Sequence, residues 1–252
     1  MKKFIALTSA TALSVTALLG GITAFAGPVT KVDTEANITF VANEDEETVV
    51  IAPDGSPDVD IPAIVGPDGE TNTGPLTIAF APTLNFGQQA ISNHDARYYM
   101  IPETFKEVDG EEYLPVAAFA QVQDTRGTNA GWILSVTASE FTSDTQNNVL
   151  KGAEISFLNS WLDYPGDEEN APTISSTTIK LSPGEPTTIL EAGNGQGAGA
   201  SSIVWGTQEA IDNHEEGLNT DVELFVPGTT AQDATTYTAT LTWELIAGVI
   251  NE

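Results

Sequence analysis

Four tryptophans (Trp132, Trp161, Trp205 and Trp243), two histidines (His94 and His214) and thirty-six carboxylates are the side chains of this 252-residue chain that could bind a ligand or do chemistry. An exposed indole offers a flat apolar face and one N–H donor, suited to stacking on a sugar ring and reaching a carbonyl. The histidines occur in like settings, Ala90-Ile91-Ser92-Asn93-His94-Asp95 and Ala210-Ile211-Asp212-Asn213-His214-Glu215. Convergence of those segments would give a metal site of two histidines and two carboxylates; otherwise they are two polar surface loops. Carboxylate pairs spaced for glycoside hydrolysis arise from abundance alone and carry no information. Asp58 and Asp60 could hold calcium, but no loop has EF-hand spacing. There is no cysteine, which excludes thiol catalysis, and no Gly-x-Ser-x-Gly elbow. The glycines of residues 193–199 precede no Lys-Ser/Thr pair, so they read as a flexible loop or a series of bulges, not a phosphate cradle. No catalytic residue, resident metal or cofactor is assigned, although a divalent cation bridging acids remains open.

These residues must be positioned by strands. In Tyr237-Thr238-Ala239-Thr240-Leu241-Thr242-Trp243-Glu244-Leu245 every odd-numbered residue is apolar and every even-numbered one polar. A strand repeats its faces every two residues, so this segment has one greasy side. Trp132-Ile133-Leu134-Ser135-Val136-Thr137-Ala138 alternates in the same way. Alternation therefore directs Trp132 and Trp243 into a core, against the exposed-stacking reading. Trp161 and Trp205 sit outside a clean alternating face and are the better candidates for an exposed stacking platform. Further alternating sets are Leu76, Ile78 and Phe80; Val116, Ala118 and Ala120; Ile155 and Phe157; Val222, Leu224 and Val226, separated by turn signals such as Asp109-Gly110, Pro183-Gly184 and Pro227-Gly228. The expected fold is all-β, a β-sandwich of immunoglobulin-like or related Greek-key type with long loops.

The N-terminus, Met1-Lys2-Lys3, an apolar run and then Ala24-Phe25-Ala26, reads as a signal peptide over residues 1–26, leaving residues 27–252 as one exported domain. Its removal leaves six basic against thirty-six acidic residues. Such a surface repels nucleic acid and anionic lipid, so neither is an expected partner and no membrane insertion is expected. Residues 29–40 read as an opening strand. Residues 43–74, rich in Pro, Asp and Gly, read as an acidic loop or linker. With no lipid-carrying cysteine and no sortase-type motif, retention at a surface would rest on recognition.

Trp132-Ile133-Leu134 and Trp243-Glu244-Leu245, the latter within Tyr237-x-x-x-Leu241-Thr-Trp243-x-Leu245, resemble the paired motifs of the WxL-domain surface proteins of Gram-positive bacteria. Asp124-Thr125-Arg126-Gly127, Leu84-Asn85-Phe86-Gly87, Leu150-Lys151-Gly152-Ala153, Leu181-Ser182-Pro183-Gly184 and Gly193-Asn194-Gly195-Gln196-Gly197 extend the resemblance over essentially the mature chain. It implies a non-catalytic, extracellular protein held non-covalently on the cell wall through peptidoglycan. It further implies other cell-surface proteins encoded in the same cluster as partners, which leaves a subunit of a multi-protein surface complex as the alternative. A wall-active hydrolase is the weaker one. On this reading Trp132, Leu134, Tyr237, Leu241, Trp243 and Leu245 serve binding, directly or by building the fold that presents the binding surface.

Overall fold

The structure, a computed structural model, describes residues 35–42, 48–65 and 71–248. The expected signal peptide and the acidic runs at 43–47 and 66–70 lie outside the described residues. The chain divides into two units, Met1–Thr39 and Phe40–Glu252. The described part of the first, residues 35–39, is exposed and carries no strand; residues 29–34 of the expected opening strand lie outside the described residues. All-β is correct for the second unit, where the single α-helix among the described residues, α1 (Gln208–Asn213), is capped by the Thr207 side chain accepting from the Ala210 N–H.

The two-sheet sandwich is not what the strands build. They form four small sheets in a propeller-like grouping. One has three strands, in the order β1 (Val59–Asp60), β4 (Thr104–Glu107), β5 (Tyr113–Pro115). The second runs β2 (Leu76–Phe80), β6 (Ala118–Asp124), β13 (Gly199–Trp205), β9 (Trp161–Asp163). The third runs β10 (Thr173–Ile174), β12 (Thr187–Ala192), β7 (Trp132–Ala138), β15 (Leu241–Ala247), and the fourth β11 (Ile179–Leu181), β8 (Glu154–Phe157), β14 (Asn219–Val226), β3 (Ala96–Met100). All pairings are antiparallel.

The reason is visible in β6. A sandwich strand buries one face and wets the other, whereas every residue of β6 is buried. Ala118, Ala120 and Val122 enter the main apolar cluster; Phe119 enters a second cluster with Ile61, Phe80, Val204 and Ile211. Its partner β13 divides likewise, with Ile203 and Trp205 in the main cluster and Val204 in the second. The central sheet therefore has apolar material on both sides, which two facing layers cannot supply.

Two expected faces are re-sorted by local geometry. Leu76 and Ile78 pack on the main cluster, but the register on β6 slips between Ile78 and Phe80 and Phe80 turns into the second cluster. An extra residue in a strand sends the residues beyond it to the opposite face. Val116 precedes β6 and also joins the second cluster, while Ile155, Phe157, Val222, Leu224 and Val226 share the main one as expected.

Residues 48–61 cover the second face. Val50, Ala52 and Val59 pack on the second cluster. The Gln121 side chain does what a neighbouring strand would do: its Nε2 donates to the Ile51 carbonyl at 2.8 Å and its Oε1 accepts from the Ile51 N–H at 3.0 Å. Nε2 also donates to the Ser202 hydroxyl at 2.9 Å. This stretch of the Pro- and Asp-rich segment is thus fastened to the sheet by a buried amide, with the Val49 N–H donating to Gln123 Oε1 and the Asp54 N–H to Asp163 Oδ2 on either side of it.

Gln121→Ala strips Ile51 of both bonds and should lower stability by about 1–3 kcal/mol, read by denaturant unfolding. Limited proteolysis should at the same time begin within residues 48–58. Unaltered resistance to protease would show that apolar contact and the Val49 and Asp54 hydrogen bonds hold the segment without Gln121.

Candidate functional site

The two Trp-x-Leu segments fall on neighbouring strands. β15 pairs with β7 along its whole length, so that Leu245 faces Leu134, Trp243 faces Val136 and Ala247 faces Trp132. Trp132, Leu134 and Val136 are buried, while Leu241, Trp243 and Leu245 on the outer strand are half-buried against the same cluster. Alternation thus places Trp132 and Trp243 on core-facing positions, and the difference between them is that β15 ends its sheet.

Trp132 is held from two directions. Its Nε1 donates to the Gly197 carbonyl at 3.1 Å. Gly197 has φ +73°, and a Cβ there would stand 2.7 Å from the indole nitrogen and 2.5 Å from the Ala192 Cβ. The glycine-rich stretch is therefore a fixed lid on an indole: the Gly197 N–H donates to the Asn170 carbonyl and the Gly195 N–H to that of Asn129. At the head of β7, Arg126 forms a forked pair with buried Asp124, Nε to Oδ1 at 2.9 Å and Nη2 to Oδ2 at 2.7 Å, and also donates to the Gly131 carbonyl at 2.9 Å. Hydrogen bonding to Asp124 pushes the Arg126 guanidinium above its ordinary value. The Asp124-Thr125-Arg126-Gly127 motif thus ties the end of β6 to the residue preceding Trp132.

Trp205 is a correction. Expected to be exposed, it is fully buried and stacks on Phe157 with ring centroids 4.0 Å apart, its Nε1 donating to the Ser160 hydroxyl at 2.9 Å. It also lies 6.4 Å from the Trp243 ring, which links the two motif strands to the fourth sheet. Its strand opens Gly199-Ala200-Ser201-Ser202, whose small side chains leave no apolar alternation to read. Trp161 is half-buried and donates to the Gly206 carbonyl at 2.9 Å. No described tryptophan is fully exposed, and the arrangement offers no open indole platform. His94 is exposed and His214 half-buried, and among the described residues no three His, Asp or Glu side chains gather into a metal-holding group.

What the motifs do surround is a groove of about 880 Å³, within the ~300–1,000 Å³ range of small-ligand sites. Residues 83–91 form one wall and residues 232–241 the other. The floor is the end of the main cluster, with Tyr98, Phe141, Leu150, Ile155, Leu224 and Val226. The Leu84-Asn85-Phe86-Gly87 motif shapes the first wall: Asn85 Oδ1 accepts from the Gly87 N–H at 2.9 Å, and the Asn85 carbonyl from the Ile101 N–H at 2.8 Å. Tyr237 and Leu241 bring the C-terminal motif to the second wall. The Tyr237 hydroxyl donates to the Asn147 carbonyl at 2.6 Å and accepts from the Asp233 N–H at 3.0 Å. Asp233 in turn accepts from the Asn147 N–H at 2.8 Å and its Nδ2 at 2.7 Å. Those bonds, the backbone one first, hold the Asp233 carboxyl below its usual range.

Of the predicted site residues, then, Tyr237 and Leu241 line the groove, whereas Trp132, Leu134, Trp161, Trp205, Trp243 and Leu245 do not. The latter build the strands behind it. The groove itself escaped sequence reading because its walls are some 140 positions apart, the first has no periodicity and the alternation of residues 237–241 on the second reports only a core-facing side; the only signal was that a motif falls on each.

Among comparisons with known proteins, residues 28–248 match the family described as WxL domain surface cell wall-binding. No curated protein and no solved structure matches the chain.

The geometry sets two expectations. Gly197→Ala forces an L-residue to positive φ against two contacts and should cost more than Gly195→Ala, where φ is +89° but nothing lies within 4 Å. The steric part adds about 1–3 kcal/mol to the backbone cost of about 1–2 kcal/mol common to both, and only Gly197→Ala should perturb the near-ultraviolet signal of Trp132. Asp233 has a depressed folded value, so its contribution to stability is present above the unfolded value near ~3.9 and is lost as pH falls through the folded one. Asp233→Asn should therefore be less stable at neutral pH and show a shallower loss of stability on acidification below about pH 4, measured by unfolding at several pH values.

Proposed function

The chain belongs to the WxL family of surface cell-wall-binding domains, and from that premise we propose that it is an exported, non-catalytic protein that attaches without a covalent link to the peptidoglycan of a Gram-positive wall. The single observation that carries this reading is the extent of the family match, residues 28–248, which takes in both walls of the groove. Fold and motif agree with it: the Trp-x-Leu strands are spent on the core and on the backing of a groove, so that the motif marks the binding surface by building it. The proposed organisation is a signal peptide at residues 1–26 and a single domain from residue 27 onward. Among the described residues no helix is long and apolar enough to cross a membrane.

One observation favours a second reading, a subunit docked on a neighbouring surface protein. β15 ends its sheet, pairing with β7 alone among the named strands, and Ile246 on it is 43 % exposed. An extended segment of a partner could add to that edge.

Purified sacculi stripped of protein separate the two readings: the wall-binding reading expects the chain to be retained, the subunit reading expects it to stay in solution. With a formal charge of −28 against an anionic wall, retention should rise as salt shortens the screening length toward ~8 Å at physiological ionic strength. Release on adding salt would mean that attraction through the few basic residues does the holding, contrary to the proposal. A hydrolase would release soluble muropeptides from the same sacculi; a binder releases none.

A further inference from the structure

The groove has a chemical character unlike the rest of the molecule. In a chain with thirty-six acidic and eight basic residues, its lining holds one charged side chain, Asp233, and that carboxylate is engaged by Asn147. The lining's other polar groups are amides and hydroxyls set among apolar Leu84, Ile91 and Leu241: Gln88, Thr235 and Thr236, with Asn85, Gln89 and Gln232, each of which spends one amide atom on a backbone partner and keeps the other for a guest. Below them lie aromatic side chains, Tyr98 and Phe141 on the floor and Tyr237 beside it, all half-buried and lining the groove.

Each candidate wall polymer meets this surface differently. A phosphate polymer needs Lys or Arg to replace the water around its charges, and none lines the groove among the described residues. A stem peptide brings carboxylates and amines, and a charge moved into such a site without a partner carries a heavy desolvation cost. A neutral pyranose has an apolar C–H face for an aromatic ring and a rim of hydroxyls for side-chain amides, which both donate and accept. An N-acetyl group adds one more amide to pair.

Resting on the wall-attachment reading above, we infer that the groove between residues 83–91 and 232–241 is a saccharide site that takes the uncharged N-acetylhexosamine backbone of the wall polymer, and not its peptides or anionic chains. The aromatic floor supplies stacking and the amide walls supply orientation. The single carboxylate is spent on holding the second wall in place.

The test is titration of the exported chain with a soluble β-1,4-linked N-acetylglucosamine tetramer, monitored by heat or by chemical-shift change, beside a glycerol-phosphate polymer and a free stem tetrapeptide. Saturable binding of the tetramer alone is expected. Gln88 and Thr236 are exposed, so Gln88→Ala/Thr236→Ala should keep the melting temperature yet weaken the tetramer at least fivefold, with sacculi retention falling in parallel. Phe141→Ala, checked for folding by circular dichroism, should weaken it further through loss of the floor. Tetramer binding that is absent, or unaltered in the folded double variant, overturns the saccharide site; if the chain still sediments with stripped sacculi, wall attachment survives and only the groove assignment falls. Preference for the phosphate polymer or the tetrapeptide overturns the assignment as well. Failure to bind both sacculi and tetramer would instead defeat the reading beneath it.

Discussion

Burial of β6 on both faces is the constraint around which the other sheets are disposed. With no cysteine to cross-link the chain, the domain must gain its stability from apolar area and hydrogen bonding. One strand that feeds two clusters makes each neighbouring sheet answerable to a common centre: β13 shares the division, and Trp205 at its end stacks on Phe157 of the fourth sheet. Two of the three polar residues of β6 are fully paired in that buried setting, Gln121 with the backbone of Ile51 and Asp124 through its fork with Arg126. Gln123 accepts from the Val49 N–H and leaves its Nε2 without a partner among the described residues.

The side chains of the Trp-x-Leu motifs belong to the main apolar cluster or pack against it. Trp132 is locked beneath Gly197 and Leu134 lies wholly inside, while Trp243 and Leu245 on β15 cover them. Removal of an indole would leave a cavity where several sheets meet, a defect felt far from its origin because interiors are close-packed. Loss of binding after such a change would say little about contact with a ligand. Among the motif positions only Tyr237 and Leu241 line the groove, and the Tyr237 hydroxyl is itself engaged in holding its wall.

Strand content, the core direction of Trp132 and Trp243 and the assignment to a family were legible in the sequence, since each rests on a period of two or on a local string of residues. The sandwich was not a safe step from there. Alternation reports one buried face, and nothing in Ala118-Phe119-Ala120-Gln121-Val122 states that the other face is covered by residues 48–61. The slip between Ile78 and Phe80 reverses a face without altering the pattern of residue types. Trp205 was misplaced because the small residues opening β13 disguise a strand as a loop. The groove was hidden for a different reason: it is a property of two segments brought together by long-range pairing, and even the alternation of residues 237–241 reports a core-facing side without saying what stands opposite it.

The knot of Tyr237, Asp233 and Asn147 has a bearing on how such a groove would work. Three hydrogen bonds tie the 232–241 wall to Asn147 and a fourth, from the Asp233 N–H to the Tyr237 hydroxyl, braces the wall internally, so that wall has already surrendered conformational freedom before any guest arrives. A ligand then meets a preorganised mould and is spared the ordering entropy that a loose loop would exact, at about 0.5–1.5 kcal/mol for each side chain otherwise immobilised on binding. For a shallow, uncharged cleft with few strong contacts to offer, rigidity in the empty state is a source of affinity that costs no charge and needs no additional contact.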